Sequence, residues 1–184
     1  MKGILNKYNL LNLQEEVSRI HKELLILTKI SKVEVATGIN LMSGVEELNR
    51  IYGEKTSIII NPHLTEMQKT SQEYLHIHTH PENSPPSPED INIFLQTKEI
   101  KYMLIFGLTN VSYFMSKNST LGISKEELET RLDNNFRNLN NAENYTKKYK
   151  ETRDLKFIED LFERTWSTTC AEFGIDYHVI KGEG

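Results

Sequence analysis

Four of the five prolines in this 184-residue chain, Pro81, Pro85, Pro86 and Pro88, fall in one short loop. Each fixes its own φ and biases the residue before it towards extended backbone, so the loop is stiff and neither helical nor a sheet interior. Tyr74 to His78 before it has the character of a strand, and helical spacing resumes at Asp90 with Ile91, Phe94 and Leu95 on one face. A strand, a rigid loop and a helix in that order describe an α/β chain, and the other elements are read around them.

Residues 13–30 carry Leu13, Val17, Ile20, Leu24 and Leu27 at helical spacing, with charged residues opposite. Val33 and Val35, then Ile39 and Leu41, then Leu48 and Ile51, suit strands punctuated by Gly38, Gly44 and Gly53. Ser57-Ile58-Ile59-Ile60 reads as a buried strand stopped by Asn61-Pro62, and residues 65–71 as a connection or short helix. Residues 102–106 and 111–115 predict a hairpin turning at Thr109-Asn110. Beyond that the chain reads as helical and polar. Ser124 with Glu127 forms a capping signature, and residues 134–144 are Asn-rich enough to weaken the helix. The expected organisation is a core over residues 1–120 and a helical extension over residues 121–184.

Composition narrows the function classes. A net charge of -4 argues against a surface built to neutralise phosphates, so nucleic acid is not an expected partner. The densest basic cluster, Lys147, Lys148, Lys150 and Arg153, reads as a solvated helix face. The single cysteine, Cys170, forms no intrachain disulfide, and no signal-like or membrane-length apolar run is present. A cytoplasmic protein without membrane contact is expected; nothing in the sequence sets its oligomeric state.

The candidate chemistry sits around the proline loop. Alternation along a strand places His78 and His80 on one face. Asp90, at the following helix start, can add a carboxylate oxygen. Two imidazoles and one carboxylate leave a fourth tetrahedral position for water, as in catalytic zinc sites. His76 shares the face and reads as a hydrogen-bonded core or supporting histidine. His21, His63 and His178 have no spacing partner. Ser87-Pro88-Glu89-Asp90 is also a good helix N-terminus, so capping alone accounts for Ser87.

Taken together, His78-Thr79-His80-Pro81 and Ser87-Pro88-Glu89-Asp90 resemble the signature of the JAMM (MPN+) metalloproteases, especially the bacterial and phage-associated members. The resemblance covers roughly residues 13–117 and ends there. It implies a cytidine-deaminase-like, MPN-type three-layer α/β core in which a mixed sheet is flanked by helices. It also implies that His78, His80 and Asp90 bind Zn2+, that an upstream glutamate activates the bound water, and that Ser87 helps hold the tetrahedral intermediate. The loop between His80 and Ser87 is one residue shorter than usual in the family, which bears on Ser87. Glu34, in the β-like Val33-Glu34-Val35-Ala36, is the expected base; Glu46, Glu47, Glu54 and Glu73 compete with it. The implied activity is hydrolysis of peptide or isopeptide bonds in a protein or peptide substrate, including ubiquitin-like modifier conjugates. Alternatives are a catalytically silent MPN-like binding module, or a phage-head or toxin-associated domain acting on another substrate.

Overall fold

The computed structural model describes residues 1–55, 57–109 and 111–182. The helix read at residues 13–30 spans Gln14–Ser31 (α2), preceded by a short helix Lys2–Lys7 (α1). Strands Val35–Asn40 (β1) and Glu46–Tyr52 (β2) follow, then helix Asn61–Thr70 (α3) and strand Tyr74–His80 (β3). After the proline loop come helix Pro88–Gln96 (α4) and the hairpin strands Ile100–Gly107 (β4) and Val111–Lys117 (β5). Of the turn expected at Thr109-Asn110, Asn110 lies outside the described residues. Helices Lys125–Glu143 (α5), Tyr145–Thr152 (α6) and Lys156–Glu172 (α7) lead to a last strand, Ile175–Lys181 (β6).

The six strands form one sheet in the order β2-β1-β3-β4-β5-β6. All neighbours are antiparallel except β3 and β4, a parallel pair joined through α4. Alternation of side chains divides the interior in two. Leu75, Ile77, Leu104, Phe106 and Phe114 pack with Val17, Ile20 and Leu24 of α2 and Leu5 of α1. Met103, Ile105, Tyr113 and Met115 pack with Ile91 and Phe94 of α4, Met67 of α3, Leu128 of α5 and Trp166 of α7. His76, His78 and His80 alternate with Leu75 and Ile77, so they belong to this second face. No helix among the described residues is long and apolar enough to cross a membrane.

Four expectations are corrected. The segment at residues 57–60 is not a strand: Ile60 is buried, Ile58 half-buried and Ile59 75% exposed. It pairs with no strand: β1 has β2 on one side and β3 on the other, and the segment runs irregularly from β2 to α3. Asn61-Pro62, taken as a strand stop, instead opens α3, where proline's missing N–H and fixed φ suit the first turn. The extension beyond residue 120 is not wholly helical, since β6 pairs with β5 from Val111↔Lys181 to Lys117↔Ile175 and completes the sheet. The Asn-rich stretch does not interrupt α5, which runs to Glu143 and stops at Asn144 in the left-handed conformation that asparagine tolerates.

Candidate metal centre

His78 and His80 occupy the C-terminal end of β3, and Asp90 the first turn of α4. The loop between them is pinned to the neighbouring strands. Asn83 Oδ1 accepts the Thr109 N–H at 2.6 Å, and Tyr113 Oη donates to the Asn83 carbonyl at 3.1 Å. Gly107, paired with His80 across β3–β4, permits this approach: a Cβ there would lie 2.7 Å from Asn83 Oδ1.

His78 Nε2 and His80 Nε2 face each other at 3.1 Å. Asp90 Oδ1 lies 3.4 Å from His78 Nε2, and Oδ2 lies 3.4 Å from His80 Nε2. An ion bonded at about 2.0–2.1 Å with tetrahedral angles sets its ligands about 3.3–3.4 Å apart. The two 3.4 Å contacts come from different Asp90 oxygens; taking one ligand atom from each residue, the three lie within 4.8 Å of one another and could hold a metal ion. His80 is also in the right tautomer, since its Nδ1 donates to the Ser84 carbonyl at 2.9 Å and leaves a lone pair on Nε2.

Glu34 is placed by both of its neighbours in the sheet. β1 starts at Val35, two residues later than the β-like segment in the sequence, but Glu34 still exchanges backbone bonds with Glu54 and Gly53 at 2.8 and 2.9 Å. On the far face of β3, Thr79 Oγ1 accepts the Val35 N–H at 3.0 Å and meets Thr28 Oγ1 of α2 at 2.6 Å. These contacts set Glu34 Oε1 3.9 Å from His80 Nε2. The competing glutamates lie elsewhere: Glu46 pairs with Arg19 and Arg50, Glu47 meets Asn40 and Ser43, Glu73 pairs with Lys101, and Glu54 is exposed.

Ser87 and Asp90 form a reciprocal cap on α4. Asp90 N–H donates to Ser87 Oγ at 3.1 Å and Ser87 N–H to Asp90 Oδ2 at 2.7 Å. Ser87 Oγ–H also donates to Oδ2, at 2.8 Å. That hydrogen is thus committed to Asp90, and contact with a substrate oxyanion requires it to turn away.

The electrostatics of the cluster are those of buried charge with few partners. All four groups are at most 9% exposed. Burial raises the Glu34 carboxyl to about 7; His80 opposes the shift and Asp90 adds to it. Burial alone would also raise Asp90, but the two facing imidazoles outweigh it and hold that carboxyl well below its usual range. Burial lowers His78, whereas Asp90 and Glu34 together raise His80 against its burial. Among the described residues, the ion pairs of Glu34 and Asp90 are with histidines only.

Glu34, His78, Ser87 and Asp90 line a pocket of about 250 Å³ together with the apolar Ile58, Ile60, Ile93 and Met103. Two contributions were missed in the sequence. Ile58 and Ile60 reach the pocket from an irregular segment, and their alternation was the available signal. His63, on the inner face of α3 with Met67 four residues on, has its Nδ1 3.2 Å from His76 Nε2. That helical spacing becomes visible only once Pro62 is recognised as a helix start. No protein-family model, curated protein or solved structure matches this chain.

Proposed function

We propose that the protein is a zinc-dependent hydrolase of peptide or isopeptide bonds, with a JAMM-type site on an MPN-type core. The observation that carries this reading is the group of His78, His80 and Asp90, whose ligand atoms lie within 4.8 Å of one another, with the Glu34 carboxylate 3.9 Å from His80 Nε2. A bound zinc ion would lower the pKa of its water towards ~7 and polarise a substrate carbonyl. The chain's own residues supply the rest. Glu34, held near neutrality by burial, accepts a proton from the attacking water and passes it to the leaving amine. Asp90, whose carboxyl lies well below its usual range before any ion binds, offers an ionised oxygen as the third ligand. Ile58, Ile60, Ile93 and Met103 exclude water from part of the pocket and offer apolar surface to the substrate residue beside the cleaved bond.

The substrate class is a protein or peptide amide, including conjugates of ubiquitin-like modifiers. The test joins metal content to turnover. Wild-type protein is expected to carry about one zinc per chain, His80→Ala to carry none, and Glu34→Gln to keep the metal while losing hydrolysis of isopeptide-linked and linear peptides. Stoichiometric zinc in His80→Ala would place the metal elsewhere. Zinc binding without turnover of either substrate would leave a metal-stabilised binding module instead of an enzyme.

A further inference from the structure

Each donor in this group needs a second contact to fix its orientation, and two of the three have one. His80 Nδ1 is held by the Ser84 carbonyl, and Asp90 by Ser87. His78 is the exception: its Nδ1 is buried and makes no hydrogen bond. When an imidazole ligates through Nε2, its hydrogen sits on Nδ1, and ligating histidines almost always donate that hydrogen to an acceptor.

The side chain two residues earlier on the same face is His76, with its ring centroid 5.7 Å from that of His78. Its protonation pattern follows from the groups behind it. His63 Nε2 lies 2.6 Å from the Asn49 carbonyl of β2, which can only accept, so this nitrogen carries the hydrogen. A neutral His63 then has a lone pair on Nδ1, and His76 Nε2, 3.2 Å away, must donate to it. The remaining lone pair of His76 is therefore on Nδ1. That atom, too, is buried without a partner. With an ion on His78 Nε2, one face of β3 would thus hold an unpartnered donor and an unpartnered acceptor on adjacent rings, each costly to leave unsatisfied. The two rings are tilted at 52° with centroids 5.7 Å apart, and the soft terminal torsion of histidine allows either ring to turn its Nδ1 towards the other.

We propose that in the zinc-bound protein His76 Nδ1 accepts the hydrogen of His78 Nδ1, so that His76 and His63 act as positioning residues for the metal ligand. The resulting chain runs from His78 through His76 and His63 to the Asn49 carbonyl, and ties the metal strand to α3 and β2. His76 is not a fourth ligand; the group of donors within 4.8 Å of one another contains His78, His80 and Asp90. The inference rests on the zinc reading above.

The test is zinc affinity by chelator competition in wild type, His76→Phe and His76→Gln, with nitrogen-15 NMR of the imidazoles in zinc-loaded wild type. His76→Phe keeps a flat ring without the acceptor and should bind zinc about 10–100-fold more weakly. His76→Gln restores an acceptor and should recover part of the loss. The spectra should show His76 protonated at Nε2 and His78 at Nδ1 with a hydrogen-bonded shift. Wild-type affinity in a folded His76→Phe overturns the inference alone, and so does a His76 protonated at Nδ1. If His76→Phe does not fold, the wild-type spectra decide. Absence of zinc binding in wild type overturns the underlying reading, and this inference with it.

Discussion

Two clusters of charge in this molecule are built on opposite principles. Across α2 and β2, Glu16, Glu23 and Glu46 interleave with Arg19 and Arg50. Arg19 Nη2 lies 2.8 Å from Glu16 and 2.7 Å from Glu46, and Arg50 Nε lies 2.8 Å from Glu46. Arg50 also pairs with Glu23, and Glu16 accepts the Glu46 N–H at 2.8 Å. Every acid has a cation, and the cluster is half-buried to exposed. At the end of β3, Glu34 and Asp90 are buried, and among the described residues their ion pairs are with imidazoles only. The first arrangement is complete as it stands. The second is short of positive charge, and a divalent cation is the species of the right size and sign to supply it.

The largest effect that would separate the two is kinetic. Glu34→Gln should lower peptide or isopeptide turnover by about 10²–10⁴-fold with zinc content unchanged, whereas Glu46→Gln should leave turnover intact. Next comes stabilisation by metal. Zinc at 100 times its dissociation constant should raise stability by about 2.7 kcal/mol, a melting shift of roughly 5–10 °C. That increment should vanish in Asp90→Ala and survive in Glu46→Ala, as read by thermal melts with and without zinc. A full increment in Asp90→Ala would end the comparison.

Smaller effects belong to the surface network. Glu46→Ala should cost about 1 kcal/mol at neutral pH, since its ion pairs are screened but hydrogen-bonded on several sides. Burial alone would raise Glu46, but hydrogen bonds from Arg50, Arg19 and Thr37 outweigh it and hold its pKa at about 2, against 4.5 unperturbed. The folded pKa is the lower one, so its contribution is fully present above pH 4.5 and is lost as pH falls towards 2. Denaturant melts of Glu46→Gln over that window should show a shallower acid slope than wild type. The smallest change is at Ser124, whose Oγ accepts the Glu127 N–H at the start of α5. Ser124→Ala should cost about 0.5–1 kcal/mol and leave zinc affinity untouched.

What could be read from the sequence followed the range of the forces involved. His78, His80 and Asp90 were legible because strand alternation and a proline-stiffened helix start are local rules. Glu34 was legible as a carboxylate among apolar neighbours, but its distance from His80 depends on Thr79 and Thr28, which no local pattern joins. Residues 57–60 carried the composition of a strand but join no strand of the sheet, and with β1 flanked by β2 and β3 they run irregularly into α3. β6 was missed because Ile175 to Lys181 mixes Asp176, His178 and Lys181 with apolar residues, as an edge strand can when one side faces water. The pairing of His63 with His76 needed the folded position of α3. The cap by Ser87 was visible in the tetrapeptide, while the commitment of its hydroxyl hydrogen to Asp90 was not.

The parallel pair β3–β4 with α4 between them has a consequence for assembly. All three metal donors come from this single crossover, so closing the loop from His78 to Asp90 costs only roughly 2 kcal/mol of chain entropy. Glu34 lies 44 positions before His78 and reaches the cluster only after β1 has docked, through a longer loop that costs about 1 kcal/mol more. The His78, His80 and Asp90 group can therefore gather while much of the sheet is still unformed, and the Glu34 carboxylate joins it later. During refolding in the presence of zinc, capture of the metal should precede the recovery of turnover.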